Sequence, residues 1–145
     1  MKALLQRVTT ASVSVAGEIT GRIERGLVVL LGVDKGDDQA VADKLLDKIL
    51  AYRVFPDDAG RMNLSVTDIG GGVLLVSQFT LAADTRKGLR PSFTTAASPE
   101  SAEDLYDYLC RRLPHSCATW GAGIFGADMQ VSLVNDGPVT FLLES

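Results

Sequence analysis

The chain has 145 residues, 46% of them hydrophobic and 22% charged, an ordinary globular composition. At that length one domain can bury about two-thirds of its unfolded surface and fold without disulfide staples. The formal charge of −4 argues against a general nucleic-acid coat protein, because sequence-independent phosphate binding relies on excess Lys and Arg.

Recognition of one nucleic-acid end stays open. The basic residues are partly grouped, at Lys44/Lys48, Arg53/Arg61, Arg86/Lys87/Arg90 and Arg111/Arg112, and such groups can make a local basic face on an acidic protein. No apolar run approaches the roughly 20 residues that cross a bilayer, and Lys2 and Arg7 interrupt any signal-like start. The expected location is the cytoplasm. Cys110 and Cys117 then read as buried free thiols.

From the start, Lys2 to Val8 alternates weakly and leads through Thr9-Thr10 into Ser12-Val13-Ser14-Val15, whose period of two predicts a half-exposed strand. Gly17 breaks it, and Glu18 to Ile23 continues the meander. Leu27 to Val33 is apolar throughout except at Gly32, as expected of an interior strand. Asp37 and Asp38 then suit a helix N-terminus. Val41, Leu45, Leu46 and Ile49 give that helix one apolar stripe, ending near Tyr52.

Arg53 to Asn63 carries Pro56, Asp57, Asp58 and Gly60, a turn cluster. Val73 to Val76 follows as a second all-apolar strand and turns abruptly polar at Ser77, Gln78 and Thr80, with Phe79 among them. Ligands of open α/β sheets sit outside the carboxyl ends of strands, so this corner is the first candidate site. A strand end whose hydroxyls only satisfy a turn is the competing reading. Arg86 to Phe93 is too long for a tight turn, and loops of that kind are often functional.

Ser98-Pro99-Glu100 has the cap, the first-position proline and the early acid of a helix start. Ala102, Leu105, Tyr106, Leu109 and Leu113 form its buried stripe, and Pro114 is expected to stop it. Met129 to Val134 and Val139 to Leu143 read as two last strands, separated by Asn135-Asp136-Gly137-Pro138, a turn by composition. Two helices cannot cover both faces of so many strands. The expected class is α/β, one domain over residues 1–145 with its helices layered on a folded or doubled sheet.

Several motifs are weaker than they look. Gly121-Ala122-Gly123-Ile124-Phe125-Gly126 matches a dinucleotide fingerprint, but no clear strand precedes it and no helical pattern follows, so these glycines read as loop. Cys110, His115 and Cys117 lack a fourth ligand for a structural zinc. His115 is the lone histidine, placed just past a helix end, which makes a Ser-His-Asp triad a poor fit. Any base for the Ser77–Thr80 corner must come from elsewhere, the substrate included.

Ser77-Gln78-Phe79-Thr80-Leu81, Arg90-Pro91-Ser92-Phe93 and Asn135-Asp136-Gly137-Pro138-Val139-Thr140 together resemble the D-aminoacyl-tRNA deacylase family. LLQRVTTASVSV, YRVFPDDAGRMNLSV and ADMQVSLVNDGPVTF extend that resemblance over the chain. It implies hydrolysis of the ester between a D-amino acid and the 3′ terminal adenosine of tRNA, by a homodimer that uses no metal or cofactor and no membrane. It further implies a pocket built from Ser77, Gln78, Phe79 and Thr80 of one subunit, with Gly137-Pro138, in cis, reaching in from the other.

In that scheme Gly137 and Pro138 carbonyls take the substrate's ammonium and fill the space an L side chain would need. Arg7 braces them from behind, Phe79 lies near the adenine, and amides around Phe79 and Thr80 face the oxyanion. Glycyl-tRNA, with no side chain to exclude, is expected to be cleaved to some degree. Thr80 is either a nucleophile or a positioning group for water activated by the ribose 2′-hydroxyl. The rivals are a non-catalytic module binding aminoacylated tRNA ends or a protein partner, and a small-ester or peptide hydrolase using Thr80.

Overall fold

Strand β1, Lys2–Val15, is the element against which most of the sheet assembles. Ala16 and Gly17, both at positive φ, make the tight turn into β2, Glu18–Ile23, and two successive residues of that kind suit the twist of a hairpin. β3, Gly26–Gly32, returns antiparallel to the first half of β1, while β2 pairs with its second half. The computed structural model describes residues 1–145.

Helix α1, Gln39–Ala51, begins where Asp38 accepts a hydrogen bond from the Val41 amide at 2.9 Å. It buries Ala42, Leu45, Leu46 and Ile49. A small hairpin follows, β4 (Phe55–Pro56) and β5 (Met62–Leu64), so the Pro-Asp-Gly cluster is a turn flanked by short strands. β6, Gly72–Ser77, then lies parallel to β3. A short 3₁₀ turn, Phe79–Ala82, comes directly after it.

Helix α2, Pro99–Ser116, is capped by Ser98 and packs its predicted stripe inward. It does not stop at Pro114. Proline lacks one N–H, but the Cys117 amide still reaches the Leu113 carbonyl at 3.0 Å and the Ser116 hydroxyl reaches that of Arg112 at 3.1 Å. The missing bond falls in the final turn, where it costs little. β7, Trp120–Ala122, runs parallel to β6, and β8, Met129–Glu144, runs antiparallel along all of β1.

The sheet curls until β2 and β7 nearly close it: the Thr20 hydroxyl donates to the Ala122 carbonyl at 3.2 Å. A Cβ on Gly21 would lie 2.8 Å from the Ala122 nitrogen, and one on Gly121 would lie 3.0 Å from that of Arg22. Gly121 is therefore a strand residue at a seam, not the loop residue expected from the sequence. The result is a single α/β domain, a nearly closed mixed sheet with two helices laid on it.

Curling explains the two all-apolar strands. Leu27, Val29, Leu31, Val73 and Leu75 face the main core under the helices, whereas Val28, Leu74 and Val76 join Val8, Ala11, Val13 and Ile23 in a second core inside the curl. Both faces exclude water, so no alternation survives. No helix is long and apolar enough to cross a membrane.

One expected chain reversal is absent. Asn135-Asp136-Gly137-Pro138 is an outward bulge within continuous β8: Gln6 pairs with Thr140 and Val8 with Asn135, leaving four residues opposite Arg7 alone. The Asn135 side chain closes the bulge, accepting from the Val139 amide at 2.7 Å and donating to the Thr140 hydroxyl at 3.0 Å.

Candidate active site

At the carboxyl end of β6 the chain leaves the sheet through Gln78, whose amide donates to the Leu31 carbonyl at 2.7 Å. The 3₁₀ turn that follows is held from several sides. Thr95 donates to the Ala82 carbonyl at 2.7 Å, and the Lys2 ammonium to that of Leu81 at 3.4 Å. Underneath lies Gly32, where a Cβ would come within 2.8 Å of Leu81 Cβ. A strand glycine thus lets the turn sit close against β3.

Beside this corner opens a cavity of about 460 Å³, lined mainly by apolar side chains of β3, β6, α2 and β8. That size suits a small-molecule site. Ser77, Gln78 and Phe79 line it, with Val33, Ala97, Ala102 and Val131 among the others; Thr80 stands exposed at its edge. The Gln78 amide nitrogen donates to the Thr80 hydroxyl at 2.6 Å, which orients it. The Phe79 ring is 60% exposed and packs against Phe93, centroids 5.1 Å apart, so the two sequence motifs meet at the rim.

The backbone amides of Phe79 and Thr80 open the 3₁₀ turn and donate to nothing else in the chain. Two free donors side by side at an apolar cavity are suited to an oxyanion. Among the lining residues Tyr106 is the one ionisable side chain. Its hydroxyl is turned away, 3.0 Å from the Leu75 carbonyl and 2.9 Å from that of Gly123, and burial pushes its pKa far above the phenol range. It cannot serve as a base near neutral pH.

The other predicted residues lie apart from this corner. Arg7 donates through Nε to the Asp136 carbonyl at 2.9 Å and through Nη1 to that of Val54 at 2.6 Å, tying the β8 bulge to the body of the fold. The Gly137–Pro138 bond is cis, and both residues are exposed. Gly137 has φ +144°, and a Cβ there would meet Val139 Cγ2 at 2.6 Å, so glycine is required. Neither Gly137 nor Pro138 lines the cavity of its own chain.

Cys110 and Cys117 are free and half-buried, less hidden than expected, and burial raises both thiol pKa values. His115 is in the last turn of α2, not beyond it. These three do not form a metal-binding group. Gly32 and Tyr106 escaped the sequence reading because a strand glycine and a helical core tyrosine look ordinary until the turn is seen lying on one and the pocket floor hanging from the other.

The family model described as D-Tyr-tRNA(Tyr) deacylase matches residues 4–144. The chain belongs to that family. A D-aminoacyl-tRNA deacylase of Stutzerimonas stutzeri (strain A1501) is 66% identical over 145 residues, covering all of both chains. The D-aminoacyl-tRNA deacylase of Pseudomonas fluorescens (strain Pf0-1) is 62% identical over the same span. Among solved structures, one named c-Myc DNA Unwinding Element Binding Protein superposes with a TM-score of 0.94 at 44% identity, covering 100% of this chain and 99% of that one. A probable eukaryotic D-amino acid tRNA deacylase reaches 0.83 at 16% identity, covering 98% and 97%, a likeness of fold. Within the D-Tyr-tRNA(Tyr) deacylase family, a family of hydrolases, this chain therefore spans essentially the whole length of the relatives it matches.

Proposed function

We propose that the protein hydrolyses the ester of D-aminoacyl-tRNA, releasing free D-amino acid and tRNA. The observation that carries this is the pair of unpartnered amides at Phe79 and Thr80, in the turn that follows the cavity-lining Ser77 and Gln78, beside an apolar cavity that holds no usable side-chain base. The full-length relatives named above supply the substrate class.

In this reading the terminal adenosine enters the cavity with its base near Phe79, and the ester carbonyl lies against the two amides. Water attacks that carbonyl, the amides take up the developing negative charge, and the C–O bond to the ribose breaks with proton return to the departing hydroxyl. With no basic side chain on hand, the 2′-hydroxyl of the same ribose helps activate the water. Thr80, held by Gln78, positions these groups. On this reading the reaction runs in the cytoplasm, without a metal or a cofactor.

Selection by handedness requires a second subunit. Gly137 and Pro138 are exposed and away from their own cavity, while β8 offers an unpaired outer edge with exposed Val131, Val134 and Leu142. Such an edge is a template for pairing. In a homodimer the partner's Gly137 and the partner's Pro138 present carbonyls to the substrate ammonium and occupy the space of an L side chain. Bare main chain rejects by exclusion. Glycyl-tRNA, having nothing to exclude, is cleaved to some degree.

Incubation with D-tyrosyl-tRNA and L-tyrosyl-tRNA tests the reading: tyrosine is released from the D ester and the L ester survives. Protection of the D ester would instead identify a binding module. Thr80→Ala retains measurable turnover; complete loss together with an acyl adduct on the unmodified protein would make Thr80 the nucleophile. Equal cleavage of a small ester without a nucleotide would favour a general esterase.

A further inference from the structure

We propose that Lys87 and Arg90, at the tip of the loop beside the cavity, bind the phosphodiesters leading to the terminal nucleoside, an assignment that rests on the reading above. The loop is a built projection. Asp84 and Ser92 exchange backbone hydrogen bonds at its base, 2.7 and 3.1 Å, and Gly88 turns its tip at φ +72°. The descending limb is fastened to the rim of the cavity by Phe93 against Phe79.

Its three cations differ in what they are free to do. Arg86 is already neutralised by a two-point contact with Asp84, at 2.9 and 2.7 Å, which draws the Asp84 pKa well down. Lys87 and Arg90 are exposed and take part in none of the chain's ion pairs. Leu89 between them is wholly exposed, so the tip packs on nothing. On a chain of net charge −4, two unpaired cations stand on the loop whose Phe93 packs against the cavity residue Phe79.

Reach favours an RNA backbone. Arg90 and Phe93 are three positions apart in the chain, so their Cα atoms are at most about 11 Å apart. Phe93 touches the ring proposed to face the terminal adenine, and the next charged group along the substrate is a phosphate. Two side-chain cations that displace counter-ions from the phosphates of single-stranded RNA change the slope of log affinity against log salt by about 1.4.

The test measures uncharged tRNA binding to the full-length protein by fluorescence anisotropy across a salt series, with no reliance on turnover. K87A/R90A is expected to flatten the slope by about 1.4, so that raising salt from about 50 to 200 mM costs the variant about sevenfold less affinity than the unmodified protein. K87R/R90K, which keeps both charges, restores the original slope. In parallel, the fall in kcat/KM of K87A/R90A should be larger on D-aminoacyl-tRNA than on phosphate-free D-aminoacyl-adenosine. An unchanged slope, a K87R/R90K variant as impaired as the alanine one, or equal losses on both esters overturns the proposal. Failure of the unmodified protein to cleave either ester would refute the functional reading separately, with the salt slope still deciding the role of the two cations.

Discussion

Gly32→Ala is the sharpest perturbation of the site that touches no proposed substrate contact. The added methyl would sit 2.8 Å from Leu81 Cβ and 3.3 Å from both the Ala82 nitrogen and the Gln78 oxygen. Carbon atoms rest about 3.5–4.0 Å apart, so the 3₁₀ turn bearing Phe79 and Thr80 must rise by about 1 Å. Overpacking of this kind costs about 1–3 kcal/mol, or about 2–12 °C in Tm at this chain length. Displacement of a positioned group by about 1 Å can cost on the order of 10²-fold in rate.

Steady-state deacylation of D-tyrosyl-tRNA, run well below Tm, is expected to lose about that factor in kcat while the fold stays intact by circular dichroism. Gly121→Ala is the control. Its methyl would crowd the Arg22 nitrogen at 3.0 Å on the β2–β7 seam, lowering Tm without lifting the turn. Equal loss of kcat in the two variants, or full activity in Gly32→Ala, would refute the claim that Gly32 sets the height of the turn.

Four other outcomes follow from the packing. Tyr106→Phe strips a donor from two carbonyls below the pocket and should destabilise by about 1–3 kcal/mol in urea unfolding. The same phenol stays protonated in the fold well past its ordinary value of 10.0, whereas the unfolded chain loses that proton. Stability should therefore fall above about pH 10, by about 1.4 kcal/mol per pH unit, with no such term below it, and Tyr106→Phe should lack that slope. Arg7→Lys cannot span the Val54 and Asp136 carbonyls with one ammonium, so it should lose stability by about 1–3 kcal/mol and lose activity together with it; wild-type behaviour would show that the fork is dispensable. Cys110 and Cys117, raised by burial, should alkylate more slowly near pH 8 than free thiols and at full rate in urea.

Local chemistry was readable where one element decides its own form. Asp38 and Ser98 mark their helix starts because a cap needs only the next three residues. Leu27 to Leu31 and Val73 to Val76 announce interior strands because burial on both faces removes alternation. The switch from apolar to polar at Ser77 to Thr80 likewise showed where β6 leaves the sheet, because a buried strand position does not accept an unpaired polar group.

Readings failed where position in the folded element or sheet, rather than local composition, set the outcome. Pro114 signals a stop, yet it falls where helix α2 was about to end and loses almost nothing. Asn135 to Pro138 has the composition of a reversal, but β1 extends far enough to pair with both flanks, and Asn135 and Arg7 satisfy the bulge between them.

Composition and periodicity along the chain by themselves determined the α/β class, both helix starts and the polar corner, because those depend on neighbours within a turn or a strand. Closure of the sheet at Gly21 and Gly121, the seat of the 3₁₀ turn on Gly32 and the outward placement of Gly137 were decided only by tertiary structure. Each depends on how closely two backbones far apart in sequence approach, a distance that no local pattern encodes.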